Sequence, residues 1–241
     1  SNTYVLIFTA IMTVVIGGVL SFASQILAPA QKRSIELDTK TQVLGAVMPI
    51  NKKKDVGVGC YHQRIQSFGV DIDGNRIEKD AKGNPIVAED VNILKNYKKD
   101  PKDREYPVFQ YMNADNPDQV EAYILPLYGA GLWNAIYGYV ALESDLNTIK
   151  GVSFGHVQET PGLGARITDK NVQERYQGKT IFNQQDQLVS VVMVKGETGD
   201  NAQYGPHEVD GLSGATLTAK GVNAMMKQYL DCYDGFINKN Q

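Results

Sequence analysis

Small and hydroxyl-bearing residues are concentrated in one segment near the end of the chain, DGLSGAT at residues 210–216. A stretch with helical periodicity follows, so Ser213 can cap that helix and Thr216 falls in its first turn. Gly214 and Ala215 leave room for a ligand to approach. The first turn of a helix presents unpaired N–H groups and a partial positive charge, which suit a phosphate. Taken alone, a plain helix cap explains the same residues equally well.

Two further segments contain glycine loops. The segment ETPGLGARI, from Glu159, has a second glycine after Leu163, and PLYGAGLWNAIYG contains the only tryptophan, Trp133. Each loop is also typical of a tight turn between strands. Backbone at such loops can nevertheless lie close to a flat ligand, and together with DGLSGAT the three segments favour a planar, phosphorylated ligand.

Three known motifs are nearly matched and are rejected. GAGLWN, from Gly129, has Asn134 where the dinucleotide motif GxGxxG needs its third glycine. GLSGA resembles the nucleophile elbow GxSxG, but every histidine precedes Ser213, whereas that hydrolase order places one after the serine. DIDGN at residues 71–75 has glycine at the fourth position, and an EF-hand loop needs it at the sixth. We therefore predict neither a catalytic residue nor a metal site.

Two of these segments carry a resemblance to known families. DGLSGAT resembles the flavinylation motif of the FMN-binding domain family. ETPGLG together with PLYGAGLW is similar to the NqrC family, which belongs to the sodium-translocating NADH:quinone oxidoreductases, and the likeness extends over nearly the whole chain. PLYGAGLWNAIYGYVAL favours the NqrC family over the equivalent covalent-FMN subunit of Rnf-type ferredoxin:NAD oxidoreductases. That Rnf-type protein remains an alternative, as does an anchored binding module without a redox role.

The resemblance implies a covalent cofactor on the last threonine of DGLSGAT. FMN would be joined by its phosphate to the Thr216 hydroxyl through a phosphoester, made from FAD by a separate flavin transferase of the ApbE type. Asp210 would hold a metal ion or orient the hydroxyl during attachment. The cofactor-binding residues expected in this part of the chain are Asp210, Ser213, Gly214, Ala215, Thr216, Leu217 and Thr218.

The other two segments would hold the isoalloxazine ring. The residues expected to contact the ring are Glu159, Thr160, Gly162, Leu163 and Gly164, with Gly131, Leu132 and Trp133 lining the same pocket. The resemblance then implies a membrane-anchored subunit of a sodium-translocating NADH:ubiquinone reductase that relays single electrons. Its partners would be the other membrane, flavin and iron–sulfur subunits, and the chain would be inactive alone.

The elements that must position these segments form an α+β fold. From Val120 onward, short strands alternate with glycine turns, which predicts a mainly antiparallel sheet with flanking helices. DGN at 73–75 and KGN at 82–84 predict two hairpins. The final helix is predicted to be amphipathic, with a core-facing stripe of Val222, Met225, Met226, Tyr229, Leu230 and Tyr233.

The chain begins with an apolar run without a charge, from Tyr4 to Ala28. Its length predicts a single transmembrane helix in contact with membrane lipid. A cleaved signal peptide is the alternative, although no basic region precedes the run. Lys32 and Arg33 would keep the following side in the cytoplasm. The resemblance instead places the FMN domain on the periplasmic side of the bacterial inner membrane, and we adopt that placement.

Four regions are predicted. They are a transmembrane anchor (1–30), a connecting helix ended by Pro49 (31–50), a polar, turn-rich α/β subdomain (51–119) and an FMN-binding domain (120–241). The polar insert around residues 71–92 is longer than the resemblance leads us to expect. The net charge of -3 gives no reason to expect nucleic acid as a partner. Cys60 and Cys232 are either a disulfide, which a periplasmic domain would permit, or two free thiols.

Overall fold

The computed structural model describes residues 2–50, 60–79 and 83–241, with the side chain of Cys60 outside this set. The chain divides into two compact units, Ser1–Thr39 and Lys40–Gln241. The predicted boundaries at residues 30, 50 and 119 stay a prediction. Strands on either side of residue 119 pair in one sheet.

The first helix, α1, spans Asn2–Gly45 and includes Pro29. It is long and apolar enough to cross a membrane, with a mean hydropathy of 2.5 over its most apolar window. The hydroxyls of Thr9 and Thr13 donate to the carbonyls of Val5 and Thr9 at 2.8 Å. These polar groups are therefore satisfied within the helix, as an apolar solvent would require. The predicted connecting segment continues the same helix, which ends before Pro49.

The main sheet has six antiparallel strands in the order β2-β1-β3-β4-β5-β6. Strands β3 to β6 form a meander, and the β1–β2 hairpin extends it at one edge. The strands are β1 (Ile65–Val70), β2 (Arg76–Ile77), β3 (Tyr106–Met112), β4 (Val120–Ala130), β5 (Ala135–Glu143) and β6 (Ile149–His156). This sheet confirms the predicted fold class.

The other elements of this unit are short helices, one long helix and a second small sheet. Strands β7 (Val192–Met193) and β8 (Glu208–Val209) pair in parallel. The helices are α2 (Cys60–Arg64), α3 (Ile93–Tyr97), α4 (Lys170–Gln173) and α5 (Thr216–Asn240), with 3₁₀ turns at Ala88–Asp90, Pro101–Asp103, Gly164–Thr168, Glu174–Tyr176 and Asn201–Gln203. Cys232 on α5 is a free thiol.

Helix α5 packs along β4, and its predicted core-facing stripe is buried. Two glycines let the backbones approach closely. A Cβ atom at Gly129 of β4 would lie 2.7 Å from the Cβ of Met225, and one at Gly221 of α5 would lie 2.4 Å from the Ala130 carbonyl oxygen. Real Cβ atoms do not approach so closely, so this packing fixes the first turns of α5 beside the end of β4.

The β1–β2 turn confirms the first predicted hairpin and reaches the other end of α5. Gly74 in this turn has φ +79°, and a Cβ atom there would lie 2.4 Å from the backbone carbon of Gly235. The Lys239 ammonium donates to Asn75 Oδ1 at 2.6 Å. In the second predicted hairpin, Lys79 pairs with Pro85, and Lys82 lies outside the described residues. The turn at the start of the polar insert therefore packs against the C-terminal part of α5.

Replacing Gly74 with alanine should destabilise the unit Lys40–Gln241. The left-handed backbone would cost about 1 kcal/mol, and the clash with Gly235 about 1–3 kcal/mol more. Gly178→Ala is the matched control, because Gly178 has φ +73° and a Cβ atom added there would meet nothing within 4 Å. Chemical unfolding followed by near-UV circular dichroism should show the larger loss for Gly74→Ala. Equal losses would contradict the packing role of the turn.

Candidate functional site

A buried carboxylate joins the three glycine-bearing segments. Glu159 lies in the loop after β6 and is only 5% exposed. Its Oε1 accepts the backbone N–H of Trp133 at 3.1 Å, and its Oε2 accepts the hydroxyl of Thr218 at 2.6 Å. The 131–134 loop, the ETPGLG loop and the first turn of α5 are thus tied to one side chain.

Two of the predicted site glycines pack against this carboxylate. A Cβ atom at Gly131 would lie 2.4 Å from Glu159 Oε1. One at Gly164 would lie 2.4 Å from Glu159 Oε2 and equally close to Thr218 Oγ1. Because these glycines have no side chain, their loops can lie directly against the Glu159 carboxylate.

The ETPGLG loop is a compact turn that faces the segment before α5. The amides of Leu163 and Ala165 both donate to the Thr160 carbonyl at 3.1 Å. Gly162 has φ +74°, a conformation that favours glycine. The Thr160 hydroxyl accepts the indole N–H of Trp133 at 3.1 Å. Thr160 therefore holds both its own loop and the indole.

Leu163 projects from the ETPGLG loop toward the DGLSGAT segment. Gly214 there has φ +70°, and a Cβ atom added to it would lie 2.9 Å from Leu163 Cδ2. Large apolar side chains are exposed on the other two segments and in the first turn of α5, and exposed apolar surface of this kind can mark a binding site. Their exposed fractions are 46% for Leu132, 66% for Trp133, 42% for Leu163 and 57% for Leu217.

Helix α5 begins at Thr216, so this residue lies in the first turn as predicted, but Ser213 does not cap the helix. The Ala215 carbonyl accepts the Ala219 N–H at 2.9 Å, so Ala215 is the N-cap residue and supplies no side-chain oxygen. The prediction that Ser213 caps the helix was wrong. Gly214, directly after Ser213, has a left-handed backbone with φ +70°, so the helical conformation begins only after Ala215. Within the described part of the chain, the amides of Thr216, Leu217 and Thr218 have no hydrogen-bond acceptor. The first turn also contains no acidic residue to compete for them.

The three hydroxyls of this region differ in environment. Ser213 is exposed, Thr216 is half-buried and Thr218 is buried. The Thr218 hydroxyl is already committed to Glu159. Thr216 is therefore the hydroxyl that is both held on the helix and accessible.

Asp210 is buried beneath a neighbouring turn. Its carboxylate accepts the Thr198 N–H at 2.9 Å, the Gly199 N–H at 2.8 Å and the Thr198 hydroxyl at 3.1 Å. Burial alone would raise the pKa of Asp210, but these hydrogen bonds outweigh it and hold the pKa below its usual value. In this arrangement the carboxylate holds the 198–199 turn, and the Thr216 hydroxyl is not among its partners.

A second carboxylate, Glu197, was missed by the sequence analysis. It accepts two hydrogen bonds from Arg166, at 2.7 and 2.8 Å, and one from Arg175 at 2.8 Å. It also accepts the N–H of Ser213 at 3.2 Å. The hydrogen bonds from Arg166 and then Arg175 lower the pKa of Glu197 to about 2. The carboxylate is therefore an anion at any ordinary pH.

Arg175 extends the contacts of Glu197 to the start of the DGLSGAT segment. Its guanidinium donates to the carbonyls of Asp210, at 3.1 Å, and Gly211. Nothing in a single sequence pairs Glu197 with Arg166 or Arg175, because it lies more than 20 residues from both and belongs to none of the three glycine-bearing segments. Only the fold reveals that these charges meet under the segment.

Comparisons with known proteins agree with this geometry. A family model described as the FMN-binding domain matches residues 131–231. The NqrC protein of the Na(+)-translocating NADH-quinone reductase of Neisseria meningitidis is 30% identical, over 88% of this chain and 84% of that protein. The crystal structure of the NqrC protein from Parabacteroides distasonis superposes with a TM-score of 0.72, at 32% identity, covering 88% of this chain and 96% of that one.

The chain belongs to the NqrC family of the Na(+)-translocating NADH-quinone reductases. This confirms the resemblance carried by ETPGLG and PLYGAGLW. Some similarities are more local, since the match to the NqrC protein of Pseudomonas aeruginosa is 35% identical over 63% of this chain and 55% of that protein. All residues that the sequence analysis expected at the flavin site lie within the segment 131–231 that the FMN-binding model matches.

The ion pairs of Glu197 should make the stability of this family member depend on pH. Because its pKa is lowered from 4.5 to about 2 on folding, the carboxylate stabilises the fold above about pH 4.5, and that stabilisation is lost as pH falls toward 2. The difference in unfolding free energy between the wild type and Glu197→Gln should therefore narrow between about pH 6 and about pH 3. Chemical unfolding at several pH values measures it, with the exposed Glu208→Gln as the control. A difference that does not change with pH would contradict the assignment.

Proposed function

We propose that this chain carries FMN covalently on Thr216 and relays single electrons within a Na(+)-translocating NADH-quinone reductase. The observation that carries the proposal is the first turn of α5. There an accessible threonine hydroxyl, unpaired backbone amides and exposed apolar side chains meet inside the segment matched by the FMN-binding model.

The phosphate of FMN suits the first turn of α5. The amides of Leu217 and Thr218 are free to donate, and the helix dipole favours an anion at this end. Gly214 has no side chain to obstruct the approach. A phosphodiester on Thr216 would keep one negative charge, which the same groups would stabilise.

The isoalloxazine ring suits the exposed apolar side chains beside that turn. Leu132, Trp133, Leu163 and Leu217 are all more than two-fifths exposed, although burying them would favour folding. A flat aromatic ring placed among them would remove apolar surface from water. The hydrogen bond from Trp133 to Thr160 would keep the indole in place for that contact.

Within the site, this chain's residues bind and orient the cofactor. FMN, when bound, supplies a group that accepts and passes on single electrons. Glu159 fixes the three segments that would surround the ring, and Thr216 would hold the phosphate. A covalent bond removes any dissociation equilibrium, so the carrier would keep its cofactor through every turnover.

Attachment would require a flavin transferase of the ApbE type with FAD as donor. The Thr216 hydroxyl would lose its proton, and its oxygen would form a bond to the phosphorus that bears the flavin. The phosphoanhydride bond of FAD would break, with AMP as the leaving group. Thr218 would not compete, because its hydroxyl is buried against Glu159.

Partners and location follow from the family and from α1. The relatives are named as subunits of a larger reductase, so the partners of this chain would be the other subunits of that complex. Helix α1 would anchor it in the bacterial inner membrane. We place the FMN domain on the periplasmic side, although Lys32 and Arg33 alone would favour the opposite orientation.

Replacing Ser213 and Thr216 with alanine, one at a time, shows which hydroxyl accepts the flavin phosphate. Co-expressed with a flavin transferase, the wild type and Ser213→Ala should show flavin fluorescence after denaturing electrophoresis, and Thr216→Ala should show none. The reason is that only Thr216 supplies the linking oxygen. A fluorescent Thr216→Ala band, or loss of fluorescence only in Ser213→Ala, would contradict the assignment.

A further inference from the structure

We infer that Glu197 is a positioning residue that holds the DGLSGAT segment in the shape in which Thr216 is presented to the flavin transferase. This inference rests on the proposed function, because it concerns the same attachment reaction. It is based on contacts that join Glu197 and Arg175 to the start and the centre of the segment before the helix.

The first contact fixes the segment near its centre. Glu197 Oε2 accepts the backbone N–H of Ser213 at 3.2 Å, three residues before Thr216. Ser213 itself is exposed. Without this carboxylate, no described acceptor would hold the Ser213 amide, and Ser213 would be held only by the burial of its neighbours Leu212 and Ala215.

The second contact fixes the start of the segment through an arginine. Glu197 Oε1 accepts from Arg175, whose guanidinium donates to the carbonyls of Asp210 and Gly211. The Arg175 side chain is only 9% exposed. A nearly buried guanidinium needs anionic partners, since an unpaired buried charge is costly. Glu197 accepts a hydrogen bond from Arg175 at 2.8 Å, and Asp210 Oδ2 lies farther away, at 4.0 Å. The direct hydrogen bond to Glu197 therefore orients Arg175 so that it can hold those two carbonyls.

Arg166 completes the arrangement from the loop that carries Leu163. It forms a bidentate pair with Glu197, a geometry that restricts orientation as well as distance. Arg166 lies three residues after Leu163, which packs beside Gly214. Glu197 thus links the loop that carries Leu163 to the acceptor segment through Arg166 and Ser213.

These contacts predict how attachment would fail without the charge. Glu197 has no contact with the Thr216 oxygen, so it would not act on the atoms that react. Its loss would instead reduce the fraction of molecules whose acceptor segment is correctly placed. A smaller competent fraction raises the apparent KM of the transferase for this chain and leaves kcat at saturation unchanged.

The test uses the full chain in detergent, with purified transferase and FAD. Initial rates of flavin attachment are measured against the concentration of wild type, Glu197→Gln and Glu208→Gln. Glutamine keeps the size of Glu197 and removes its charge, and Glu208→Gln removes an exposed carboxylate elsewhere. We expect the KM of Glu197→Gln to rise about tenfold, as expected for loss of a hydrogen bond to a charged group. Its kcat and the constants of Glu208→Gln should stay unchanged.

A second measurement reports on the segment itself. Amide hydrogen exchange of the peptide containing residues 210–216 should be faster in Glu197→Gln than in wild type, with no change in peptides from β4 and β5. If Glu197→Gln fails to fold, Arg166→Gln replaces it, because it removes one arginine and leaves the bond to Ser213. We expect a smaller rise in KM for that variant.

The possible outcomes separate this inference from the proposed function. An unchanged KM in a folded Glu197→Gln, or a fall in kcat at unchanged KM, would overturn the positioning role. In both cases the wild type would still receive flavin, so the proposed function would stand. A wild type that receives no flavin from a transferase active on a control protein would overturn the proposed function itself.

Discussion

Burial of the Glu159 carboxylate is the constraint on which the rest of the site depends. A carboxylate taken out of water is tolerated only when its oxygens are hydrogen-bonded. Glu159 meets this condition with one donor from the hairpin after β4, the Trp133 amide, and one from α5, the Thr218 hydroxyl. The buried position of Glu159 therefore favours an arrangement in which these two partners lie together. Gly131 and Gly164 leave the carboxylate the space that any side chain would fill.

Helix α5 gives this junction its rigidity. Near its start, Gly221 packs on the Ala130 carbonyl, and near its end, Gly235 packs on the turn that contains Gly74. The stripe between them is buried against the sheet. Thr216 therefore projects from the first turn of a helix that is fixed at both ends. The segment before it is held by the hydrogen bonds of Asp210 and by the contacts of Glu197 and Arg175.

Much of the fold was predictable because its elements follow from local patterns in the sequence. The alternation after Val120, the DGN turn and the three-four spacing from Val222 to Tyr233 each predict an element that the structure contains. The joining of the strands before and after residue 119 into one sheet was not predictable, since pairing between distant strands leaves no local signal.

The site itself was partly predictable for the same reason. Each of the segments DGLSGAT, ETPGLG and GAGLW is a continuous stretch of sequence. The resemblance could therefore give an expected flavin-binding role to individual residues in each segment. Glu197 and its two arginines are isolated charges in the sequence, and their role comes only from their position under Ser213. The mistaken cap at Ser213 has a local cause, because a serine before a helix is ordinarily a good cap. Here the carbonyl of Ala215, two residues later, accepts the first helical hydrogen bond.

The proposed covalent bond between Thr216 and the phosphate of FMN can be measured by intact mass. The chain is weighed after co-expression with a flavin transferase, denaturation and removal of free flavin. We expect a mass increase equal to FMN less one water, located by peptide mapping on Thr216. An unmodified mass, with the transferase active on a control protein, would contradict the covalent bond. DGLSGAT would then be only the segment that leads into α5, and an anchored binding module would be the better interpretation of the chain.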